Sequence, residues 1–266
     1  MGLIALASIK GSPGVTTSAL ALGATALDDS DVIVAELDPS GGDLAARFGR
    51  PFEPGLISLA AASRRPTEDA RLTDHCQQIL GSLRVIVGQP SGDRSETVLR
   101  MLSERGLWCQ LADAETLFLA DCGRFDSHSA ALPIVEASTA LVVVCRPMLN
   151  ELQHVHFRLP ALRRIAKRVA IALIGDGPYG AAEVGESLDV DVLGTVAVDR
   201  DAARLLNGEP GGRRALARLP LLRSANAVMR ALNDRLAQPR GAVTLIEGSN
   251  GNGPGSATAI AVVSVP

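Results

Sequence analysis

Seven short apolar runs recur along the chain, and segments with helical spacing of apolar residues separate them. Each run is six or seven residues long and mostly apolar, as in strands that are buried on both faces of a sheet. The runs span residues 3–8, 31–37, 83–88, 115–120, 140–145, 169–174 and 191–196. Strands that alternate with helices predict an α/β fold, a doubly wound and mostly parallel sheet of about seven strands with helices on both faces.

The segments between the runs predict the helices of this fold. They cover residues 18–27, 44–48, 56–63, 66–80, 96–105, 130–137, 151–167, 181–187 and 213–236, the last as one helix or a pair. Nothing in the pattern requires a second domain, so residues 1–238 are predicted to form one domain. From residue 239 the chain becomes rich in Gly and Ser, which predicts a flexible tail over residues 239–266.

Composition narrows the class of protein. The chain is 47% apolar and 21% charged, which is enough apolar material for a sizeable core. Its longest apolar runs fall well short of the roughly 20 residues that a membrane span needs, so we expect a cytoplasmic protein without a membrane span. The four cysteines form no C-x-x-C pair, and we expect free thiols rather than a metal site.

A glycine-rich loop follows the first apolar run and precedes the first predicted helix. A strand, a glycine loop and a helix in this order predict a phosphate-binding loop, because backbone N–H groups and the helix N-terminus attract anions. A Walker A loop also needs a lysine directly before its hydroxyl residue, and here that position holds Val15. The chain has only one lysine besides Lys10, which suggests that a compact ammonium is needed in this loop. The loop reads Lys10-Gly11-Ser12-Pro13-Gly14-Val15-Thr16-Thr17.

Two aspartates follow predicted strands and should lie near this loop, because the carboxyl ends of parallel strands share one edge of the sheet. Asp121 has the position of a Walker B carboxylate, which would hold Mg²⁺ together with the Thr16 hydroxyl. Asp38 follows the second run and is a candidate to orient an attacking water. Arg124 and Arg146 are both candidates to replace the charge missing at Val15.

Four motifs in this order resemble those of the MinD/ParA family of deviant Walker A P-loop ATPases. The loop at residues 10–17 is similar to that family's Lys-Gly-Gly-x-Gly-Lys-Thr-Thr. The other motifs resemble its Asp-x-Asp-Pro-Gln-Gly-Asn and Asp-Cys-Pro segments, and its Leu-Gly-Val-Ile-Pro-x-Asp segment with the following Asn-x-Gly-x-Pro. The corresponding residues here are 36–42, 121–123, and 193–199 with 207–210. Within the family, the resemblance points to the CpaE/TadZ-like branch of Tad/Flp pilus and secretion positioning factors.

The resemblance implies roles for individual residues. Lys10 would reach across a nucleotide-sandwich homodimer to the partner's phosphates and act with Asp38 in catalysis, and Asp199 would lie near the adenine. A dimer of this kind implies ATP and Mg²⁺ as ligands and a switch in intracellular positioning, with protein partners from chromosome partitioning or pilus and secretion assembly. With Val15 in place of the lysine, weak or absent hydrolysis is expected. The residues implied to cradle phosphate are Lys10, Gly11, Ser12, Gly14, Thr16 and Thr17.

Two other functions compete with this one. A pseudo-ATPase scaffold would keep the fold and recruit protein partners without any nucleotide. Contacts to non-specific DNA are less favoured: residues 150–240 carry 14 basic against 10 acidic side chains, but no aromatic interleaving or recognition motif accompanies the arginines.

Overall fold

The computed structural model describes residues 2–10, 14–26, 31–64, 71–209 and 218–238, and these ranges contain one eight-stranded sheet. The strands are β1 (Gly2–Ser8), β2 (Val32–Glu36), β3 (Gln77–Ile79), β4 (Leu83–Ile86), β5 (Leu117–Arg124), β6 (Ala140–Cys145), β7 (Val169–Ile174) and β8 (Asp191–Val196). Their order is β3-β4-β2-β5-β1-β6-β7-β8, and every neighbouring pair is parallel except β3 and β4. The predicted class, a mostly parallel α/β sheet, is confirmed.

Ten α-helices and one 3₁₀ helix connect these strands within the described ranges. The helices are α1 (Val15–Ala26), α2 (Leu44–Arg47), α3 (Leu56–Ser63), α4 (Gly92–Glu104), α5 (Leu107–Ala112), α6 (Leu132–Ala137), α7 (Leu149–Ile165), α8 (Ala181–Leu188), α9 (Arg200–Leu206) and α10 (Pro220–Ala237), with the 3₁₀ turn at Leu72–His75. Within the residues described, no helix is long and apolar enough to cross a bilayer.

Helices cover both faces of the sheet, and each face has its own core. Along β1, Leu3 and Ala5 belong to one core and Ile4 and Leu6 to the other, as the alternation of side chains along a strand requires. The first core lies under α3 to α8, and the second lies under α1, α2, α9 and α10. All seven residues of β1 are buried, which explains why its sequence is a continuous apolar run.

The topology determines where a ligand is expected to bind. β1 lies between β5 and β6 near the middle of the sheet: β2 to β5 lie on one side of it, and β6 to β8 continue the sheet on the other side. In doubly wound sheets the crevice at such a switch point lies beyond the carboxyl ends of the strands. The loop after β1, the turn after β2 and the end of β5 therefore meet at one edge.

Several predicted boundaries are wrong. The helix predicted over residues 66–80 is replaced, over its described part, by the 3₁₀ turn and by β3, which pairs antiparallel with β4. The turn between these strands has positive φ at Leu80 and Gly81, which breaks a helix. β5 continues through Asp121 to Arg124, whereas the strand was predicted to end at residue 120. Helices α5 and α9 were not predicted.

The remaining strand predictions agree well with the structure. β6, β7 and β8 have the predicted bounds, and helix α3 does too. The last helix begins at Pro220, while residues 213–217 of its predicted span and the predicted tail at 239–266 lie outside the described residues. The predicted division into a domain and a tail therefore stays a prediction.

Trp108 is expected to be the main anchor of α5. Its side chain is 2% exposed, lies in the core under α3 to α8, and donates a hydrogen bond from Nε1 to Ser103 Oγ at 2.8 Å. We expect Trp108→Ala to lower the free energy of unfolding by about 3–5 kcal/mol, because it removes a large buried side chain. Urea denaturation followed by circular dichroism measures this loss.

The neighbouring Cys109 provides the matched control, because it lies in the same helix and is exposed. Cys109→Ala should change the free energy of unfolding by less than about 0.5 kcal/mol. Equal effects of the two substitutions would show that α5 is not held by its buried face.

Candidate functional site

A cleft of about 680 Å³ lies at the carboxyl edge of the sheet, where the topology leads one to expect a ligand. Its walls come from the end of β1, the start of α1, the turn after β2, the end of β5 and the start of α7. The lining residues are Ser8, Lys10, Gly14, Val15, Thr16, Thr17, Asp38, Ser40, Arg47, Gly123, Arg124, Asn150 and Glu151.

The start of α1 forms one wall of this cleft. Gly14 has a φ of +90°, a conformation that favours glycine, and its carbonyl accepts a hydrogen bond from Ser18 N at 2.9 Å. The N–H groups of the first helical turn have no partner within the helix, so they are available to an anion. Gly11 and Ser12, which were predicted to cradle phosphate, lie outside the described residues.

Val15 lies at the first position of α1 and is only 6% exposed. Its side chain packs in the core under α1 and α10 and also forms part of the cleft wall. The position where a Walker A loop carries an ammonium therefore carries an apolar side chain instead.

Asp121 lies on β5 next to this wall and is 1% exposed. Burial raises the pKa of its carboxyl to about 7, and the neighbouring carboxylates of Glu36 and Asp38 add to the rise. The Thr16 side chain, which faces the carboxyl, and the backbone N–H of Gly123, which donates to Oδ1 at 3.1 Å, lower this pKa. In the described part of the chain, Oδ2 has no hydrogen-bond partner.

The orphaned Oδ2 of Asp121 and the facing Thr16 hydroxyl fit a Mg²⁺ ion. Both are hard oxygen donors, and Mg²⁺ is commonly held by one or two such protein groups together with waters and substrate phosphates. No cluster of three or more His, Cys, Asp or Glu side chains with metal-binding geometry occurs among the described residues, so a cage built by the protein alone is not found there. Ser8 Oγ is also buried, lines the cleft and lacks a partner in the same ranges.

Asp38 lines the cleft from the turn after β2. Its Oδ1 accepts a hydrogen bond from Ser40 N at 2.8 Å, and partial burial raises the pKa of its carboxyl. The carboxylate occupies the space where a side chain on Gly123 would lie, and Gly123 has a φ of +57°. A glycine at this position therefore allows Asp38 to approach the end of β5.

Glu36 also lies in this region, and the sequence pattern predicted no separate role for it. Its side chain is 3% exposed and accepts three backbone hydrogen bonds, from Asp43 N at 2.6 Å and Leu44 N at 3.0 Å to Oε1, and from Gly88 N at 2.9 Å to Oε2. Burial raises its pKa, and the three N–H donors oppose that rise. Glu36 ties the ends of β2 and β4 to the start of α2. Its signal in the sequence was a charged residue inside the apolar run 31–37.

The cationic side chains around the cleft differ in their partners. Arg47 pairs with Asp43 at 2.6 Å. Arg146 does not line the cleft: its backbone N–H donates to Glu151 Oε2 at 2.8 Å, and its guanidinium lies 3.9 Å from Oε1 of the same residue. Lys10 and Arg124 line the cleft and form no ion pair within the described ranges.

Asp199 lies outside this cleft. Its Oδ1 accepts hydrogen bonds from Asp201 N at 3.0 Å and Ala202 N at 3.1 Å, so it caps the N-terminus of α9. The loop containing Val198, which is 72% exposed, lies beside Gly175 after β7. A contact between Asp199 and adenine stays a prediction, and capping is the role that the geometry assigns to this carboxylate.

Comparison with models of protein families and with functionally characterised proteins finds no match at the level of sequence. Solved structures do match. They include the cell-division ATPase MinD of Pyrococcus furiosus, with a TM-score of 0.71, 17% identity, and coverage of 88% of this chain and 100% of that one.

Two further solved structures match the fold of this chain. MinD of Pyrococcus horikoshii OT3, solved with Mg-ADP, matches with a TM-score of 0.69 and 16% identity over 89% of this chain and 97% of that one. A ParA-family ATPase of Chlorobium tepidum TLS matches with a TM-score of 0.67 and 19% identity over 87% and 97%. These similarities establish the fold: the chain has the architecture of the MinD and ParA ATPases.

The raised pKa of Asp121 predicts an unusual dependence of stability on pH when Mg²⁺ is absent. The folded chain holds a proton on this carboxyl that the unfolded chain releases near its ordinary pKa of 3.8. The contribution of Asp121 to the free energy of unfolding should therefore fall as pH rises from about 4 to about 7. Asp121→Asn, which cannot ionise, should be more stable than the wild type at pH 8 by on the order of 3 kcal/mol and show little difference near pH 4.

Urea denaturation in EDTA across this pH range measures the difference. Asp113→Asn is the control, because Asp113 is exposed and should keep the wild-type profile. An advantage for Asp121→Asn that does not change with pH would contradict the assignment.

Proposed function

We propose that the chain is a MinD/ParA-like nucleotide-dependent switch, a cytoplasmic homodimer that takes part in intracellular positioning and hydrolyses ATP slowly or not at all. The observation that supports this most is the pairing of Thr16 with the buried, unsatisfied Asp121 at the start of α1. A Mg²⁺ donor pair beside an anion-binding helix N-terminus is the arrangement that a metal–nucleotide complex needs.

We assign residues of the cleft to the phosphates, to Mg²⁺ and to the attacking water. The phosphates would lie against the loop after β1 and the first turn of α1, where Gly14, Thr16 and Thr17 line the cleft. Thr16 and Asp121 would hold Mg²⁺, which supplies positive charge to the phosphates. Asp38, which reaches the same cleft and retains acceptor capacity beside its bond from Ser40, would orient a water.

Lys10 is proposed to act across the dimer. It is exposed, lies at the rim of the cleft, and has no acidic partner among the described residues. Two triphosphates that face each other in a dimer repel strongly, so cations from the opposite subunit are required to bring them together. An exposed ammonium beside the loop is suited to this task.

The presence of Val15 instead of a lysine leads us to expect slow ATP hydrolysis. A charge-assisted hydrogen bond to phosphate contributes about 1.5–3 kcal/mol, which corresponds to roughly one to two decades in affinity. The missing ammonium would also have stabilised the charge that develops during hydrolysis, so turnover should suffer more than binding. A long-lived ATP-bound dimer is the expected consequence.

Its partners are proposed to be proteins of chromosome partitioning or, if the chain belongs to the CpaE/TadZ-like branch, of Tad/Flp pilus or secretion assembly. The motifs at residues 36–42 and 193–199 support the family assignment, as does the fold shared with MinD and ParA ATPases.

The second candidate is a scaffold that binds no nucleotide. The burial of Val15 in the core and the surplus of carboxylates around Asp121 favour it, since both weaken the attraction of the cleft for phosphate. Such a protein would keep the fold and recruit partners in a constant state.

Binding of ATP with Mg²⁺ separates the two candidates. Titration calorimetry should give measurable ATP affinity for the wild type, and Asp121→Ala should abolish its dependence on Mg²⁺, because the ion loses its buried ligand. In sedimentation analysis, ATP should convert the wild type to a dimer, whereas Lys10→Ala should bind ATP and remain monomeric.

Lys167→Ala is the matched control, since Lys167 is the other lysine of the chain and donates to Ala137 O at the amino edge of β6. It should bind ATP and form a dimer as the wild type does. Absence of binding at millimolar ATP would select the scaffold.

Restoring the missing ammonium tests the catalytic assignment. Val15→Lys should raise the rate of ATP hydrolysis at least tenfold, because it would return a cation to the phosphates while Asp38 orients the water and Asp121 holds Mg²⁺, as proposed. Release of phosphate over time measures the rate. The combined variant Val15→Lys with Asp38→Asn is the control and should stay slow; equal rates for the two would exclude Asp38 from water activation.

A further inference from the structure

The carboxylates near the cleft oppose the binding of an anion, and position 15 of the loop carries no positive charge to offset them. The carboxylates of Glu36 and Asp38 both lie close enough to Asp121 to raise the pKa of its carboxyl, and Val15 adds no charge. The N-terminus of α1 supplies only about half a positive charge. A triphosphate in this cleft would therefore bind better with a further cation in the same subunit, besides the Mg²⁺ ion and the Lys10 of the opposite subunit that the proposed function assigns to it.

Arg124 is positioned to provide it. It is the last residue of β5, three positions after Asp121, and it lies in register with Ser8 at the end of β1. A hydrogen bond from Phe125 N to Ser8 O at 2.8 Å fixes the end of β5 beside the last residue of β1. The backbone turns at Gly123, and the exposed Arg124 side chain lines the cleft.

The other nearby arginines are engaged. The guanidinium of Arg47 is held by Asp43 at 2.6 Å, and Arg146 is associated with Glu151 and does not line the cleft. Within the described ranges Arg124 forms no ion pair, although the carboxylates of Asp38 and Glu151 line the same cleft. An exposed arginine that forms no ion pair in the described ranges, although two carboxylates line its cleft, is well suited to a strongly anionic ligand.

The chemistry of the side chain matches such a ligand. A guanidinium keeps its charge at all accessible pH values and presents a planar fork of donors that fits two phosphate oxygens at once. Because it extends from the end of β5, it would approach a bound phosphate from the strand that carries Asp121 and not from the helix that carries Val15.

We propose that Arg124 contacts the phosphates of the nucleotide bound in its own subunit and supplies in cis the charge that Val15 lacks. This inference rests on the proposed nucleotide binding and adds to it a specific phosphate-binding residue. Arg124 and the Walker A position then act as alternatives: either cation suffices for binding, and the chain uses the one on β5.

A double-mutant cycle tests the substitution of one cation for the other. ATP affinity with Mg²⁺ is measured by calorimetry for the wild type, Arg124→Ala, Val15→Lys and the double variant. Arg124→Ala should weaken binding about tenfold to a hundredfold in the wild-type background. In the Val15→Lys background the same change should cost less than about threefold, because the new ammonium replaces the lost guanidinium.

Further variants exclude indirect effects. Arg124→Gln keeps most of the side-chain volume and should bind as weakly as Arg124→Ala, while thermal melts confirm that both are folded. Arg100→Ala removes an arginine that pairs with Glu96 on the exposed face of α4 and should bind ATP normally. In the Lys10→Ala background, where no dimer is expected, Arg124→Ala should still weaken binding, as a contact within one subunit requires.

The outcomes separate this inference from the proposed function. If the wild type binds ATP and Arg124→Ala binds within twofold of it, Arg124 is not the replacement cation and the proposed function stands. If Arg124→Ala lowers ATP affinity equally in the wild-type and Val15→Lys backgrounds, Arg124 does not replace the missing lysine and this inference is wrong. If the wild type binds no ATP at millimolar concentration, the proposed function fails and this inference fails with it.

Discussion

The structure depends on how two buried carboxylates are accommodated at one edge of a parallel sheet. Glu36 at the end of β2 and Asp121 on β5 are paired in register, and each is almost completely removed from water. A buried carboxylate is costly unless it is hydrogen-bonded, neutralised or bound to a cation. The two groups differ in how far the protein itself satisfies their oxygens.

Glu36 is satisfied by the protein itself. Three backbone N–H groups surround its two oxygens, and the glycines at 42 and 88 leave the space that it occupies. Its task is to hold the turn that carries Asp38. Asp121 receives one backbone N–H and keeps one oxygen without a partner in the described ranges, and its burial raises its pKa to about 7. A proton neutralises this carboxyl below about pH 7, and in the proposed function the Mg²⁺ ion of a Mg²⁺–nucleotide complex would take the place of that proton.

The sequence predicted the central strands of the sheet better than the edge strand β3 and the short helix α5. Strands β6 to β8 have the predicted bounds because they are short apolar runs with turn residues on both sides. β3 was missed because it contains two glutamines and becomes a strand only by pairing with β4. α5 is too short for a periodic pattern, and it forms where Trp108 fills the core under α3 to α8. Both elements depend on tertiary contacts that a local pattern does not contain.

In the candidate site as well, some features were predicted from the sequence and others depend on the fold. The motif positions predicted that Lys10, Thr16 and Asp38 lie together, and the structure brings all three to one cleft. The capping role of Asp199 and the three bonds of Glu36 follow from backbone geometry, which residue identity alone does not reveal. The engagement of Arg47 and Arg146, which leaves Arg124 as the arginine of the cleft without an ion pair in the described ranges, also required the fold.

In the proposed function, the start of α1 and the Asp121 carboxylate, one oxygen of which has no partner in the described ranges, form a metal–nucleotide site although the loop carries no lysine at position 15. The most direct measurement is the ATP affinity of the wild-type chain with saturating Mg²⁺ and again in EDTA. We expect measurable binding that weakens at least tenfold when Mg²⁺ is removed. An affinity that is the same with and without the metal, or no binding under either condition, would exclude a metal–nucleotide site in this cleft.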